Sequence, residues 1–162
     1  MILFAHSEQG ARVTAHYNTK SAPLDPLSLK WPKDRLQTLQ ADLAKEDDVA
    51  RLFKDATSTF GVIQIAILNH AIYVAEHAPL QNMSLERWTK TFDANVTSTF
   101  LAAREYLRYL EKATDEEKAK ANIVIIGSSA GRFGEALHAE YAATKSGNSK
   151  FCAIQHCVLI LL

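Results

Sequence analysis

A tyrosine, a lysine and a serine in the second half of the chain have the spacing of a proton-transfer site. Tyr141 and Lys145 are four residues apart, and Ser128 lies thirteen positions before the tyrosine (141 − 128 = 13). A free phenol has a pKa of roughly 10 and is a poor acid at neutral pH. An ammonium group one helical turn away stabilises the phenolate, and a serine hydroxyl from a separate segment can hold the oxygen that receives the proton. These residue types at this spacing predict reversible reduction of a carbonyl group.

Apolar runs predict the strands that must position these residues. Strands are expected at residues 10–17, 36–42, 62–68 and 122–127. The last two runs are almost continuously apolar, which is typical of parallel strands covered on both faces. Ser128 follows the last of them, and ligands bind beyond the carboxyl ends of strands in open parallel sheets.

Two amphipathic segments predict the longest helices. In the first, one face is apolar, and its members are Val49, Leu52, Phe53, Ala56 and Phe60. The second begins at Ser84, a suitable N-cap, and is expected to reach about Leu110. Residues 21–32 contain three prolines and are predicted to form a loop, and residues 114–120 a charged loop or helix end. Strands alternating with helices of this length indicate an α/β, doubly wound fold.

Composition is that of an ordinary globular protein and gives no sign of a nucleic-acid-binding, disulfide-rich or zinc-binding protein. The chain has 162 residues, 48% hydrophobic and 22% charged, with a formal net charge of zero. This length supports one domain with a real core. Zero net charge gives no reason to expect general affinity for nucleic acid or an anionic membrane. Cys152 and Cys157 form no disulfide framework and no zinc spacing, so reduced thiols in a cytoplasmic protein are expected.

The two ends of the chain predict no membrane span. The first six residues are too short and too quickly polar for a signal peptide. Residues 157–162 are strongly apolar, but the segment counted from Phe151 falls short of the roughly 20 apolar residues that a spanning helix needs. A buried strand or the end of a helix is the expected structure there.

Two motifs resemble the catalytic pattern of the short-chain dehydrogenase/reductase family. That pattern is Ser-x-x-Gly after the fifth strand, then Tyr-x-x-x-Lys; this chain has Ser128-Ser-Ala-Gly131 and Tyr141-Ala-Ala-Thr-Lys145. Ser129 is the neighbouring alternative, but the Ser-x-x-Gly spacing and the thirteen-residue interval favour Ser128. The resemblance covers residues 10–146 and implies a Rossmann-like sheet that binds NAD(P).

Three further residues match the family's pattern. Asp42, at the end of a strand, resembles the aspartate that binds the adenine ring; its alternative role is to cap a helix. Asn69 matches the first Asn of the family's Asn-Asn-Ala-Gly after the fourth strand, while His70 and Ile72 depart from it. Asn95 resembles the family's fourth catalytic residue, which disrupts a helix locally and anchors a water that relays protons to the lysine. Its alternative is an Asn in mid-helix that points to solvent.

The resemblance implies an NAD(P)-dependent oxidoreductase that transfers hydride between nicotinamide and a small-molecule carbonyl or alcohol. Tyr141 is the expected general acid in reduction and base in oxidation. Lys145 is expected to stabilise the phenolate and hold the nicotinamide ribose, so both residues also face the cofactor. Ser128 is expected to hold the substrate oxygen and Asn95 to order the relay water.

Residues 15–20 bear on the choice of cofactor. An acid near the end of the second strand binds the ribose hydroxyls of NAD and repels a 2′-phosphate. This stretch, Ala-His-Tyr-Asn-Thr-Lys, holds no acid and ends in Lys20. NADP is therefore the expected cofactor, with NAD as the alternative.

Two parts of the family's pattern, the first strand and the phosphate loop, are not found in this sequence. The phosphate loop, Thr-Gly-x-x-x-Gly-x-Gly, does not occur before Gly10, and residues 1–10 align with the end of the family's first helix. Gly127-Ser-Ser-Ala-Gly-Arg-Phe-Gly134 is also glycine-rich, but its place before Tyr141 identifies it as the catalytic-serine segment. Loss of the first strand predicts a gap in the sheet, with unpaired edges on the second and fourth strands.

The C-terminal part departs from the pattern too. Gly147-Asn-Ser is expected to weaken the helix after Lys145, and the family's later strands are expected to be absent. That helix commonly forms the family's dimer interface, so a homo-oligomer is not a firm expectation. The chain is interpreted as a single partial domain over residues 1–162. A non-catalytic fragment or splice form, acting at most as a binding remnant, is the alternative function.

The remaining histidines offer no metal site. His6, His16, His77, His138 and His156 have no partner at ligand spacing and are expected at the surface or in packing. His138 lies three residues before Tyr141, so contact with a substrate is its alternative role.

Overall fold

The structure is a computed structural model that describes residues 10–151 and 157–160. It divides into two compact units, Met1–Ile63 and Gln64–Leu162. No helix in the described part of the chain is long and apolar enough to cross a membrane. The interpretation of residues 1–10 as the end of a helix falls, apart from Gly10, outside the described residues.

The described part of the first unit contains a two-stranded parallel sheet, a 3₁₀ turn and two α-helices. Its elements are β1 (Val13–Tyr17), α1 (Asp25–Lys30), β2 (Leu36–Gln40) and α2 (Glu46–Phe60). Val13 pairs with Leu36, and Ala15, Leu27 and Leu36 form a small buried core. Helix α2 begins with three acidic residues, whose negative charges interact favourably with the positive end of the helix dipole. It buries four residues of the predicted apolar face: Val49, Leu52, Phe53 and Ala56.

The predicted loop at residues 21–32 needs a correction. It contains a 3₁₀ turn, Ala22–Leu24, and helix α1. Pro23 and Pro26 occupy the second position of the turn and of the helix respectively. Proline is tolerated there because the first N–H groups of a helix have no intrahelical partner.

The second unit contains a three-stranded parallel sheet in the order β3-β4-β5. Its strands are β3 (Ile65–Leu68), β4 (Asn122–Ile126) and β5 (Cys157–Ile160). Its helices are α3 (Leu85–Phe92), α4 (Ser98–Glu111), α5 (Asp115–Ala119), α6 (Ala130–Phe133) and α7 (Ala139–Phe151). All pairings are parallel, so the carboxyl ends of the strands lie at one edge of this sheet.

The predicted long helix is confirmed at its start and interrupted in its middle. The Ser84 hydroxyl accepts a hydrogen bond from the backbone N–H of Arg87, as an N-cap does. A π-helical turn, Asp93–Thr97, separates α3 from α4. The charged segment after α4 forms α5, which a capping box between Thr114 and Glu117 begins.

The C-terminal residues form more structure than predicted. Helix α7 continues through Gly147 to Phe151, and β5 pairs with β4 with Cys157 opposite Ile123. One C-terminal strand is therefore present, in agreement with the strand expected from the apolar run. Helix α7 continues past Gly147 because hydrogen bonds to neighbouring elements stabilise it.

The described strands form two separate sheets. Strand β1 pairs only with β2, and β3 lies at the edge of its own sheet. Ile65 on β3 is 50% exposed, which is unusual for an apolar residue of a parallel strand. Within the described residues, β1 and β3 each have one unpaired edge, while the predicted gap in the sheet stays a prediction.

Candidate active site

Ser128 lies directly beyond the carboxyl end of β4. After Ile126 the chain passes Gly127 and turns into α6, and Ser128 Oγ accepts a hydrogen bond from the Ala130 N–H at 3.2 Å. The Ser128 side chain is half-buried, whereas Ser129 is exposed and precedes α6. Ser128 thus lies beyond the carboxyl end of a strand, where ligands bind in open parallel sheets.

The close packing around Gly131 explains why the Ser128–Gly131 motif ends in glycine. A Cβ atom at this position would lie 2.6 Å from the Lys145 carbonyl carbon, 2.7 Å from its oxygen and 2.8 Å from the Ser146 nitrogen. These are backbone atoms, which cannot rotate away. Helices α6 and α7 therefore touch backbone to backbone, and the Ser128 turn is held against the Lys145 turn.

Lys145 is a buried lysine fixed to the end of β4. Only 4% of the residue is exposed, and its Nζ donates a hydrogen bond to the Ile126 carbonyl oxygen at 2.9 Å. Its Nζ lies 5.8 Å from the centre of the Tyr141 ring. Burial lowers the pKa of the Lys145 ammonium. An ammonium group has three N–H donors, and the Ile126 contact uses one of them.

Tyr141 lies one turn before Lys145 on α7 and is half-buried. The ring of Tyr73 meets it edge to face, with centroids 5.0 Å apart. Tyr73 also packs on His138, with ring centroids at 4.5 Å. Desolvation raises the pKa of the Tyr73 phenol, and the carboxylates of Glu135 and Glu140 raise it further.

Asn95 lies at the centre of the π-helical turn and is completely buried. Its Oδ1 accepts from the Ile72 N–H at 2.7 Å, and its Nδ2 donates to the Ile72 carbonyl at 3.0 Å and to Thr144 Oγ1 at 3.1 Å. Thr144 in turn donates to the Tyr141 carbonyl at 2.7 Å. The solvent-facing alternative is therefore wrong: Asn95 joins the loop after β3 to the helix that carries Tyr141.

The backbone carbonyl of Asn95 accepts two side-chain hydrogen bonds. Thr99 Oγ1 donates to it at 2.7 Å and Asn148 Nδ2 at 2.9 Å. Asn148 is buried one turn after Thr144 on α7, so this bond helps to hold the helix past Gly147.

The loop after β3 accommodates its two departures from the family's pattern. His70 Nε2 lies 2.7 Å from Ser98 Oγ, which ties the loop to α4. Ile72 uses its backbone N–H and carbonyl to bind Asn95, and the only described non-glycine residue with a positive φ is Leu137. No left-handed backbone is required at Ile72, so glycine is dispensable there. Asn69, which precedes both, is exposed.

Asp42 belongs to the first unit, and the other predicted site residues belong to the second. Its Oδ1 accepts from the Ala44 N–H at 3.1 Å, and its Oδ2 lies 3.6 Å from Lys45 Nζ. Its own N–H donates to Asp48 Oδ2 at 2.8 Å, the largest cause of the lowered pKa of the Asp48 carboxyl. These contacts shape the turn before α2; Lys45, not Asp42, is the N-cap residue.

Sequence reasoning missed a buried ion pair beside Tyr141. Arg87 Nη2 lies 2.6 Å from Glu140 Oε1, and the Glu140 side chain is fully buried. The two residues are 53 positions apart, so no local spacing indicates the pair. His138 was expected at the surface or in packing; it is buried against Tyr73 and His77. His16, by contrast, bonds the Ala41 carbonyl at 2.8 Å in the first unit.

The parallel α/β units, with Ser128 at the end of β4 and Tyr141 and Lys145 one turn apart on α7, define a Rossmann-like protein of the dehydrogenase kind. The family model described as short chain dehydrogenase matches residues 3–156. The chain therefore belongs to the short-chain dehydrogenase/reductase family.

Curated relatives and solved structures agree with this assignment. The chain is 38% identical to 2,5-dichloro-2,5-cyclohexadiene-1,4-diol dehydrogenase of Sphingobium indicum over 65% of its own length and 40% of that protein. It is 26% identical to glucose 1-dehydrogenase 2 of Bacillus subtilis over 89% of its length and 54% of that protein. A solved structure, the closed form of serine dehydrogenase complexed with NADP+, matches 94% of the chain and 58% of that protein with a TM-score of 0.81 and 22% identity. The chain thus spans about half the length of the curated relatives it matches.

Proposed function

We propose that this chain carries the proton-transfer site of an NAD(P)-dependent oxidoreductase that acts on a carbonyl or alcohol carbon. The observation that carries the proposal is the buried Lys145 ammonium, bonded to the end of β4 and one turn from the half-exposed Tyr141. A buried cation is costly unless it is paired or used. Stabilising a phenolate is such a use.

Each residue has a proposed role that follows from its place. Tyr141 gives a proton to the substrate oxygen in reduction and takes it in oxidation, and Ser128 holds that oxygen by a hydrogen bond. Lys145 stabilises the phenolate through its charge. Asn95 holds the β3 loop and α7 in register, and from the π-helical turn it orders a relay water. Because Thr99 and Asn148 already bond its carbonyl, a water bound there would replace one of them.

The residues present fit the nicotinamide ribose end of the cofactor, which supplies or accepts the hydride when it is bound. Lys145 has two N–H donors beyond the one bonded to Ile126, and adjacent ribose hydroxyls are acceptors of the matching kind. Asn69 is exposed at the end of β3, where its amide is free to meet a ligand. Asp42 is proposed for the adenine end on the strength of the family's pattern alone.

NADP is the proposed cofactor. Asn18, Thr19 and Lys20 follow β1 and are exposed, and no acid stands among residues 15–20. A cation without a competing carboxylate favours a 2′-phosphate. The NADP+ complex of the similar serine dehydrogenase supports the same choice.

Cyclic secondary alcohols are the proposed substrate class. The names of two relatives, a cyclohexadiene diol dehydrogenase and a glucose dehydrogenase, describe hydroxyl groups on six-membered rings. Cyclic ketones and ring alcohols are therefore the first substrates to assay.

A binding titration tests the proposal without knowledge of the substrate. The folded chain is titrated with NADPH while the fluorescence of Trp31 and Trp88 is followed, with Lys145→Met as the comparison and Lys120→Met as the surface control. We expect a saturable signal that Lys145→Met weakens at least about tenfold, which is about 1.4 kcal/mol, and that Lys120→Met leaves unchanged. A folded chain that gives no saturable signal would sink the proposal.

A further inference from the structure

The Arg87 guanidinium joins three separate segments of the second unit. Its Nε and Nη2 donate to Glu140 Oε1 at 2.8 and 2.6 Å, and its Nη1 donates to the Glu76 carbonyl at 2.7 Å. Its Nη2 also lies 3.2 Å from His138 Nδ1. Arg87 itself is in the first turn of α3, so it ties this helix to the loop after β3 and to the start of α7.

The segment that Arg87 holds leads directly into Tyr141. Leu137 has a φ of 63°, a left-handed conformation that is strained for a leucine. Its carbonyl accepts a hydrogen bond from the Ala78 N–H at 3.1 Å. Glu140 is the residue before Tyr141 and is buried completely. Strain of this kind persists only where the surroundings impose it.

The same contacts orient the aromatic rings beside Tyr141. Arginine can only donate, so His138 Nδ1 is the acceptor and the ring proton is on Nε2. That orientation presents the His138 ring to Tyr73, and Tyr73 in turn meets Tyr141 edge to face. His138 Nε2 is buried and has no hydrogen-bond partner within the described residues. Besides its packing on Tyr73 and His77, the ring is therefore oriented by the hydrogen bond from Arg87.

We propose that Arg87 is a positioning residue: through Glu140, His138 and the Glu76 carbonyl it fixes the ring of Tyr141 against Tyr73. We call the contacts of Arg87 with Glu140, His138 and the Glu76 carbonyl the Arg87 clamp. The catalytic role of Tyr141 rests on the proposed function, whereas the clamp exists whether or not the chain is an enzyme. A lysine cannot replace the arginine, because an ammonium lacks the planar fork that reaches three acceptors at once.

NMR spectroscopy of the chain with ring-labelled tyrosine tests the clamp. The Tyr141 signal is assigned by its loss in Tyr141→Phe, and its through-space contact with Tyr73 is measured together with amide exchange at residues 73–78 and 135–140. In Arg87→Lys and Arg87→Met we expect the ring contact to be lost and exchange in both segments to rise at least tenfold. Lys120→Met, which breaks the exposed ion pair with Glu116, is the matched control and should change neither.

A double variant separates positioning from stability. Arg87→Met with Glu140→Leu removes both buried charges, and such pairs are often replaced by apolar residues without loss of stability. We expect this variant to recover the melting temperature but not the ring contact, because the His138 and Glu76 contacts are still missing. A ring contact that persists in a folded Arg87 variant, or that returns in the double variant, overturns the proposal. The two proposals can fail separately. If the Arg87 variants lose the ring contact while the original chain binds no NADPH, the positioning role of Arg87 is supported and the proposed enzymatic function is refuted.

Discussion

Lys145 is the proposed site's buried cation. It is almost completely buried, and within the described residues its ammonium donates to one carbonyl oxygen, that of Ile126. Burial disfavours the charged form, while a neighbouring phenolate would favour it. A cation buried at this cost and bonded to the end of β4 is consistent with the proposed role of stabilising the Tyr141 phenolate.

The lowered pKa of Lys145 makes a prediction about stability and pH. Burial lowers the pKa of the Lys145 ammonium in the folded chain below 10.5, the pKa of an ordinary lysine in the unfolded chain. Between the folded and unfolded pKa values the unfolded chain binds more protons, so stability rises with pH through that window. Urea unfolding from pH 7 to 10.5 should show the original chain gaining stability relative to Lys145→Met. A constant difference across this range would show that burial does not destabilise the ammonium.

Two glycines on neighbouring helices should respond in opposite directions to alanine. Gly131→Ala places a Cβ within 3 Å of the Lys145 backbone and must push α6 from α7. Gly147→Ala meets only Val96 Cγ2, at 4.0 Å, and removes a helix-interior glycine. We expect Gly131→Ala to cost about 1–3 kcal/mol by overpacking and Gly147→Ala to gain about 0.4–1 kcal/mol. Thermal unfolding measures both; equal effects would show that the two helices do not touch as described.

At the scale of elements, the π-helical turn contains Asn95 at its centre, where three segments meet. The Asn95 carbonyl accepts from Thr99 and Asn148, and its side chain bonds Ile72 and Thr144. One residue thereby joins the β3 loop, the α3–α4 junction and α7.

Replacing Asn95 should cost more than replacing its partner Thr144. Asn95→Leu removes three hydrogen bonds, two of them to the half-buried backbone of Ile72, at about 0.5–1.5 kcal/mol each. Thr144→Val removes two hydrogen bonds, to Asn95 and to the Tyr141 carbonyl, and should cost about 1–2 kcal/mol. Denaturant unfolding of both variants checks the order. A smaller loss in Asn95→Leu than in Thr144→Val would contradict the proposed junction.

Sequence patterns predicted the elements whose cause is local. The apolar face of α2, the Ser84 cap and the Tyr141–Lys145 spacing depend on neighbours within a few residues, so they can be read directly. The 3₁₀ turn and α1 were missed because prolines at their second positions look the same in a sequence as prolines in a loop. The Arg87–Glu140 pair and the Asn148–Asn95 bond were missed because each joins residues 53 positions apart.

At the scale of the whole molecule, the second unit alone contains the four proposed catalytic residues. Asn95, Ser128, Tyr141 and Lys145 all lie within Gln64–Leu162: Ser128 follows β4, Tyr141 and Lys145 are on α7, and Asn95 is in the π turn that packs on α7. Asp42 and residues 15–20, which bear on the adenine end of the cofactor, lie in the first unit. The proposed proton-transfer chemistry and the proposed choice between NAD and NADP are thus assigned to different parts of the chain. Substitutions at Lys20 should change cofactor preference without changing the Tyr141 site.

The proposed role of Tyr141 as general acid is tested most simply by the rate of NADPH oxidation with a panel of cyclic ketones. The rate is followed at the absorbance band of reduced nicotinamide. The comparison is between the chain and Tyr141→Phe, which keeps the ring and its contact with Tyr73 but removes the phenolic proton. We expect turnover by the chain and a loss of about 10²–10⁴-fold in Tyr141→Phe, the usual contribution of a general acid. Equal rates for the two proteins would contradict the role of Tyr141 and with it the proposed mechanism.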